Sequence, residues 1–187
     1  MKKELLRPTL VLLLICAVVA GLLALINHFT TLAMQVDPEQ VLESMKADYL
    51  EVLPNATEFT LLYPTDPDTA EEKGTAVQVV RSDAGYLITA LSSGQYDSSP
   101  IRVLVGIAPD GTVAGIKILK SSETPGVGSR TNSKTFLSRF IGGESFSADG
   151  KIGSKIDTVT GATRSSKAVI VAVNAAMDAY RDWSAQQ

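Results

Sequence analysis

The stretch IRVLVGIAPDGTVAGIKIL, residues 101–119, decides the fold of this 187-residue chain. Two runs rich in apolar and β-branched residues, 101–107 and 112–119, flank the turn sequence Pro109-Asp110-Gly111. Proline fixes the φ angle of a turn, aspartate bonds nearby backbone, and glycine tolerates a positive φ. The stretch therefore predicts a β-hairpin.

The chain around this hairpin has the pattern of one mixed domain. An apolar stripe predicts a helix that is capped by Asp37, begins at Pro38 and ends before Pro54, and we expect it to pack on the sheet. Short turns between strands predict antiparallel pairing, so the expected fold class is α+β, with a mostly antiparallel sheet and flanking helices. The other expected elements are strands over 58–63, 76–81 and 86–91, turns over 66–73 and 82–85, and helices over 135–141 and 165–183.

The N-terminal region contains seventeen consecutive apolar residues, Leu10–Ile26, counting one glycine. A helix with the usual rise of about 1.5 Å per residue crosses a bilayer core over such a run. We therefore expect one N-terminal transmembrane helix. The expected division is a cytoplasmic N-terminus over 1–8, a transmembrane anchor over 9–29 and an extracytoplasmic domain over 30–187.

The charges on either side of the apolar run predict its orientation. Lys2, Lys3 and Arg7 precede the run, whereas the first charged residues after it are acidic. Basic residues stay on the cytoplasmic side, so we expect a single-pass protein of the cytoplasmic (inner) membrane with its C-terminal domain on the periplasmic, outer side.

Two processed forms compete with an uncleaved anchor. A cleaved signal peptide would need a small-x-small site, which Thr31-Leu32-Ala33 matches poorly. A lipoprotein would use Cys16, but Ile15 stands where a small residue is expected. The uncleaved anchor is the favoured interpretation.

Charge and cysteine content exclude several classes of protein. The formal net charge is −3 for the whole chain, and it becomes about −5 without the first 29 residues, which disfavours a nucleic-acid partner. A single cysteine excludes an intramolecular disulfide, so the stability of the domain must come from its core. We expect no metal site.

The stretch DTVTGATRSS, residues 157–166, crowds hydroxyl side chains just before an apolar helix. One interpretation is that Thr163, Ser165 and Ser166 cap the free N–H groups of that helix. The other is that the helix start, with Arg164 and a close backbone approach at Gly161, holds a phosphate.

If the stretch holds a phosphate, its residues limit which reactions can occur there. The stretch lacks the lysine and the spacing of a P-loop. A threonine hydroxyl would lie within reach of the phosphate, but no neighbouring residue could activate it. A phosphoester there would have to be installed by another enzyme.

A second stretch, SSETPGVGSR, residues 121–130, follows the predicted hairpin. Its proline and glycines fix a backbone whose amides are exposed rather than paired in a sheet, which suits contact with a flat polar ring. An ordinary surface turn is the alternative interpretation.

These stretches, together with Pro100–Ile107, resemble the G subunit of the Rnf ion-translocating electron transport complex over nearly the whole chain. That family has an FMN-binding domain, which it shares with the C subunit of the sodium-pumping NADH:quinone reductase. The resemblance implies one FMN, bound covalently through a phosphoester to Thr163, and a separate flavin transferase that recognises Asp157. It also implies electron transport coupled to ion translocation between ferredoxin and NAD, with no independent catalytic site in this chain. The implied partners are the other Rnf subunits, especially the membrane flavoprotein that forms the D subunit.

The resemblance also implies which other residues contact the cofactor. Family members often have a histidine where this chain has Ser121, so a role of that histidine is not expected here. Glu123, if it lies near the flavin ring, would lower the flavin potential by adding negative charge. The implied cofactor contacts besides Thr163 are Glu123, Thr124, Gly126, Val127, Gly128, Thr160, Gly161 and Ala162.

Two other functions remain open. The C subunit of the quinone reductase resembles a longer chain with an insertion that is not found here, so the Rnf protein is favoured. A membrane-anchored binding or assembly module without redox work could use the same scaffold. The intact Thr-Gly-Ala-Thr sequence favours an electron carrier, because a pure scaffold has no need of an acceptor threonine.

Overall fold

The computed structural model describes residues 2–33, 38–64, 75–93, 100–121, 126 and 128–185. The chain divides into two units, Met1–Asp37 and Pro38–Gln187. The expected cap Asp37 and the expected turn over 66–73 lie outside the described residues.

The first unit contains helix α1, Lys2–Ala33. Its large apolar side chains between Val11 and Ile26 are 50% to 67% exposed. Among the described residues, no helix combines the length and the hydropathy that crossing a membrane requires. The structure therefore does not confirm the transmembrane helix expected at 9–29.

The second unit is an α+β domain, as expected. Its helices and strands follow the predicted order, and most ends agree with the predicted ends within two residues. The elements are α2 (Pro38–Val52), β1 (Phe59–Pro64), β2 (Thr75–Ser82), β3 (Gly85–Ser93), β4 (Pro100–Ile107), β5 (Val113–Lys120), α3 (Lys134–Leu137), β6 (Phe146–Ser147), β7 (Ser154–Lys155) and α4 (Thr163–Ser184), with 3₁₀ helices at Gly128–Asn132 and Ser138–Phe140.

The five long strands form one antiparallel sheet in the order β1-β2-β3-β4-β5. The predicted hairpin joins β4 and β5, and its turn is closed by the Gly111 N–H donating to the Ala108 carbonyl at 2.9 Å. The Asp110 carboxylate accepts from the Thr112 N–H at 3.0 Å, and Gly111 has a φ of +86°. The turn residues therefore act as the sequence predicted.

The sheet is buried on both faces. Side chains alternate along β4, so that Val103 and Val105 point to one core and Leu104 points to the other. Helix α4 covers the first face and α2 covers the second, as expected for the helix that begins at Pro38. This arrangement fixes α4, and therefore its first residue, against a rigid sheet.

Three local features differ from the sequence prediction. The helix expected over 135–141 is a short α-helix, α3, continued by the 3₁₀ helix Ser138–Phe140. Helix α4 begins at Thr163, two residues earlier than expected. The strands β6 and β7 pair in parallel and were not predicted, because two residues are too few to show a periodic pattern.

Candidate functional site

The loop before α4, which we call the acceptor loop (residues 157–163), contains a tight turn. The Ala162 N–H donates to the Val159 carbonyl at 2.8 Å, which places Thr160 and Gly161 at the centre of the turn. Gly161 has a φ of +81°, a conformation that L-residues with side chains rarely adopt. Glycine at this position therefore permits the backbone to turn directly into the helix.

Helix α4 starts without a side-chain cap. Its N-cap residue is Ala162, whose side chain makes no capping hydrogen bond. None of Thr163, Ser165 and Ser166 therefore occupies the N-cap position that the capping interpretation expected. The reason is that the helix starts earlier than predicted, so all three residues lie inside its first turn rather than before it.

Ser166 instead holds the acceptor loop from within the protein. Its buried Oγ accepts from the Val159 N–H at 3.0 Å and donates to the Ala162 carbonyl at 2.8 Å. Ser165 is also fully buried. These two hydroxyls therefore face the protein and are not available to a ligand in solution.

Thr163 faces the solvent. It is the first residue of α4, and Thr160, Gly161 and Arg164 beside it are also exposed, whereas Ala162 is buried. The positive end of a 22-residue helix thus lies next to an accessible hydroxyl. This arrangement suits the binding of a phosphate, because the helix start favours negative charge.

Asp157 opens the acceptor loop with an exposed carboxylate. Its Oδ1 lies 3.3 Å from Lys155 Nζ. The backbone carbonyl of Asp157 accepts a hydrogen bond from the Arg139 guanidinium. Sequence reasoning missed Arg139, because it lies 18 residues from Asp157 and no local pattern links the two.

The structure describes only part of the second predicted loop. Glu123, Thr124 and Val127 lie outside the described residues, so their predicted contacts with a cofactor are untested. Gly126 is exposed with a φ of +77°, and its N–H donates to Ser129 Oγ at 2.9 Å. Gly128 is buried, and its carbonyl accepts from Thr131 Oγ1 at 2.8 Å.

The fold brings the ends of the two loops towards one helix. The 3₁₀ helix Gly128–Asn132, which follows the second loop, contacts α4. The acceptor loop leads into the start of the same helix. A group bound at Thr163 would therefore lie on helix α4, which adjoins both loops.

Metal-ligand clusters and surface clefts are two other kinds of candidate site. In the part of the chain that the structure describes, no group of three or more His, Cys, Asp or Glu side chains could hold a metal ion. Two clefts of about 390 and 360 Å³ lie elsewhere, one beside Gly115 and Ile141 and the other beside Tyr63 and Trp183. Neither of these two clefts is lined by acceptor-loop residues.

Comparison with known proteins identifies a family match for the C-terminal part of the chain. Residues 97–178 match the family described as the FMN-binding domain. This range begins just before β4 and includes β5, the stretch 121–130, the acceptor loop and most of α4.

Several relatives match along almost their whole length. The G subunit of the ion-translocating oxidoreductase complex of Methanosarcina acetivorans is 30% identical over 188 residues, which cover 94% of each chain. The G subunit of the Na(+)-translocating ferredoxin:NAD(+) oxidoreductase complex of Acetobacterium woodii is 32% identical over 94% of this chain and 91% of its own. The G subunit of an ion-translocating oxidoreductase complex of Shewanella baltica is 27% identical over 100% of this chain and 94% of its own.

Proposed function

Because the chain belongs to the Rnf family of G subunits of ion-translocating oxidoreductase complexes, we propose that it carries electrons through one FMN within such a complex. When bound, FMN accepts and donates one or two electrons, and the protein supplies its placement and electrostatic surroundings. The other subunits of the complex are then its partners, with the membrane flavoprotein that forms the D subunit as the proposed neighbour. We propose that electrons pass between ferredoxin and NAD and that their flow is coupled to ion translocation.

We further propose that the FMN is attached to Thr163 by a phosphoester bond. The observation that carries this proposal is the exposed Thr163 hydroxyl at the first position of α4, beside the glycine turn. Thr160, Gly161 and Ala162 would surround the phosphate. The proposed contacts with the ring are Glu123, Thr124, Gly126, Val127 and Gly128. The helix start would stabilise the charge that remains on the phosphodiester.

A separate flavin transferase would have to make this bond. The acceptor loop, residues 157–163, contains no His, Cys or Lys that could remove the proton from the Thr163 hydroxyl. Asp157, whose side chain is 76% exposed, is accessible to such an enzyme as a recognition residue.

The same surroundings favour a relay over catalysis on a soluble substrate. Ser121, which stands where family members often have histidine, does not titrate near neutral pH. No described residue of the two loops provides a paired acid and base for substrate chemistry. The protein would therefore pass electrons between partners without an independent catalytic site.

We also propose that residues 9–29 anchor the chain in the cytoplasmic membrane, with residues 1–8 inside and the FMN domain outside. The support is the apolar run Leu10–Ile26 and the exposure of its large apolar side chains. An anchor would keep the flavin close to membrane partners at a high effective concentration.

The attachment is tested by loading the protein with flavin in the presence of a flavin transferase. The intact chain should gain the mass of FMN less one water and keep its yellow colour after acid denaturation. Thr163→Ala should abolish the added mass, whereas Thr135→Ala, which removes another exposed threonine, should not. Covalent flavin on the Thr163→Ala variant would refute the assignment.

A further inference from the structure

Arg139 joins the acceptor loop to the core of the domain. Its guanidinium donates to the Asp157 carbonyl, and its Cζ atom lies 5.8 Å from the centre of the Phe136 ring. Phe136 is buried and packs edge-to-face on Phe140, with 5.5 Å between the ring centres. Arg139 is thus tied to a rigid aromatic cluster on one side and to the loop backbone on the other.

The other end of the acceptor loop is held independently. Ser166 binds the backbone of Val159 and Ala162 from a fully buried position. The hydrogen bonds of this serine do not extend to the start of the loop at Asp157. Among the described residues, the side chain that binds the Asp157 carbonyl is that of Arg139.

We propose that Arg139 is a positioning residue for flavin transfer. By holding the Asp157 backbone, it keeps the Asp157 carboxylate and the Thr163 hydroxyl at the separation that the flavin transferase recognises. This inference rests on the proposed function. Arg139 would position the acceptor loop for the transferase. It would not contact the reacting atoms.

The chemical step requires such presentation, because two different molecules must align. The Thr163 oxygen forms a bond to the riboflavin-bearing phosphorus of a flavin dinucleotide. The P–O bond to the other phosphate breaks, a nucleoside monophosphate leaves, and the hydroxyl proton passes to the transferase. No group is oxidised or reduced in this transfer. Because the Thr163 oxygen must be aligned with the phosphorus, the rate depends on the fraction of time that Thr163 is correctly placed.

Lys155 is a weaker candidate for the same task. Its ammonium group contacts the Asp157 carboxylate, but the two side chains are 62% and 76% exposed, so solvent screens the pair. Its contact would also compete with the transferase for the recognition carboxylate. Arg139 binds the backbone carbonyl instead, which leaves the Asp157 carboxylate accessible.

The test measures flavin transfer to the purified full-length protein, with a flavin transferase and a flavin dinucleotide supplied. Arg139→Ala should lower kcat/KM for the acceptor protein about tenfold, the effect of losing one hydrogen bond from a charged donor. Final loading should still reach one flavin per chain. Arg139→Lys retains a hydrogen-bond donor and should recover part of the transfer rate. As a control, Lys134→Ala removes an exposed cation of α3 and should leave the transfer rate unchanged.

Hydrogen exchange distinguishes positioning from direct contact with the transferase. In Arg139→Ala, the amides of residues 157–162 should exchange faster while those of the sheet do not change. Transfer at the wild-type rate, or slow transfer with unchanged exchange in this loop, would overturn the proposal. If Arg139→Ala does not fold, Arg139→Lys and Arg139→Gln provide the same comparison. Flavin loading of Thr163→Ala would instead refute the proposed attachment itself.

Discussion

Asp83 fixes the start of β1 from the turn between β2 and β3. Its carboxylate accepts from Thr57 Oγ1 at 2.7 Å and from the Thr57 and Glu58 N–H groups at 2.8 and 3.3 Å. These hydrogen bonds, with that of the Thr57 hydroxyl the largest cause, lower the pKa of Asp83 to about 2. A lowered carboxyl pKa contributes stability above the unfolded-state pKa, and this stability is lost as the pH falls through the folded-state value.

We therefore expect Asp83→Asn to reduce the pH dependence of the free energy of unfolding between about pH 4 and pH 2. Chemical denaturation across this range, monitored by circular dichroism, would measure it. Glu43→Gln, which removes an exposed carboxylate from α2, is the matched control. Identical acid profiles for wild type and Asp83→Asn would show that these hydrogen bonds do not stabilise the fold.

Some residues of the candidate site could be predicted from the sequence, and others could not. Gly161 and Thr163 were predictable, because a glycine turn and a helix start are local features. The contact between Arg139 and Asp157 was not, since the fold alone brings the two residues together. The start of α4 at Ala162 was also not predictable, because Ser166 binds the loop backbone instead of serving as the N-cap.

At the scale of elements, two glycines let α2 approach the sheet. Gly106 of β4 and Gly115 of β5 are paired across the strands, and both lie beneath Val52 at the end of α2. A Cβ atom on Gly115 would come within 2.1 Å of the Val52 carbonyl oxygen. A Cβ atom on Gly106 would first meet the Val52 side chain, at 2.6 Å.

Gly115→Ala should therefore destabilise the domain by about 1–3 kcal/mol, the usual cost of forcing a methyl group into a packed contact. Gly106→Ala should cost less, because the Val52 side chain can move whereas the carbonyl cannot without shifting the helix. Denaturant unfolding would measure both variants, with Ala114→Ser at an exposed neighbouring position as the control. Equal stability of Gly115→Ala and the control would contradict this account of the packing.

The main elements were predictable because their signals are local. The hairpin follows from alternating apolar residues and three turn residues, and α2 follows from its stripe and from Pro38. The small ladder of β6 and β7 depends on distant contacts, such as the Asn174 side chain bonding the Phe146 backbone at 2.7 and 3.0 Å. No local pattern in residues 146–155 predicts this ladder.

At the scale of the whole molecule, the proposed anchor determines on which side of the membrane the flavin domain lies. With the basic residues Lys2, Lys3 and Arg7 inside, we expect a reporter fused after Gln187 to be active on the outer side of the cytoplasmic membrane. Alkaline or salt washing should not release the protein from membranes. Mature protein beginning near Met34 would show that the segment is a cleaved signal peptide.

The central claim is that electrons pass through FMN on Thr163, and the assembled complex tests it most directly. The measurement is ferredoxin-to-NAD electron transfer by complexes that carry either the wild-type chain or its Thr163→Ala variant, each checked for the presence of all subunits and for covalent flavin on this chain. We predict that the Thr163→Ala complex assembles but does not transfer electrons, because one carrier in the relay is missing. Full activity in a complex shown to lack this flavin would contradict the claim and favour a scaffold role for the domain.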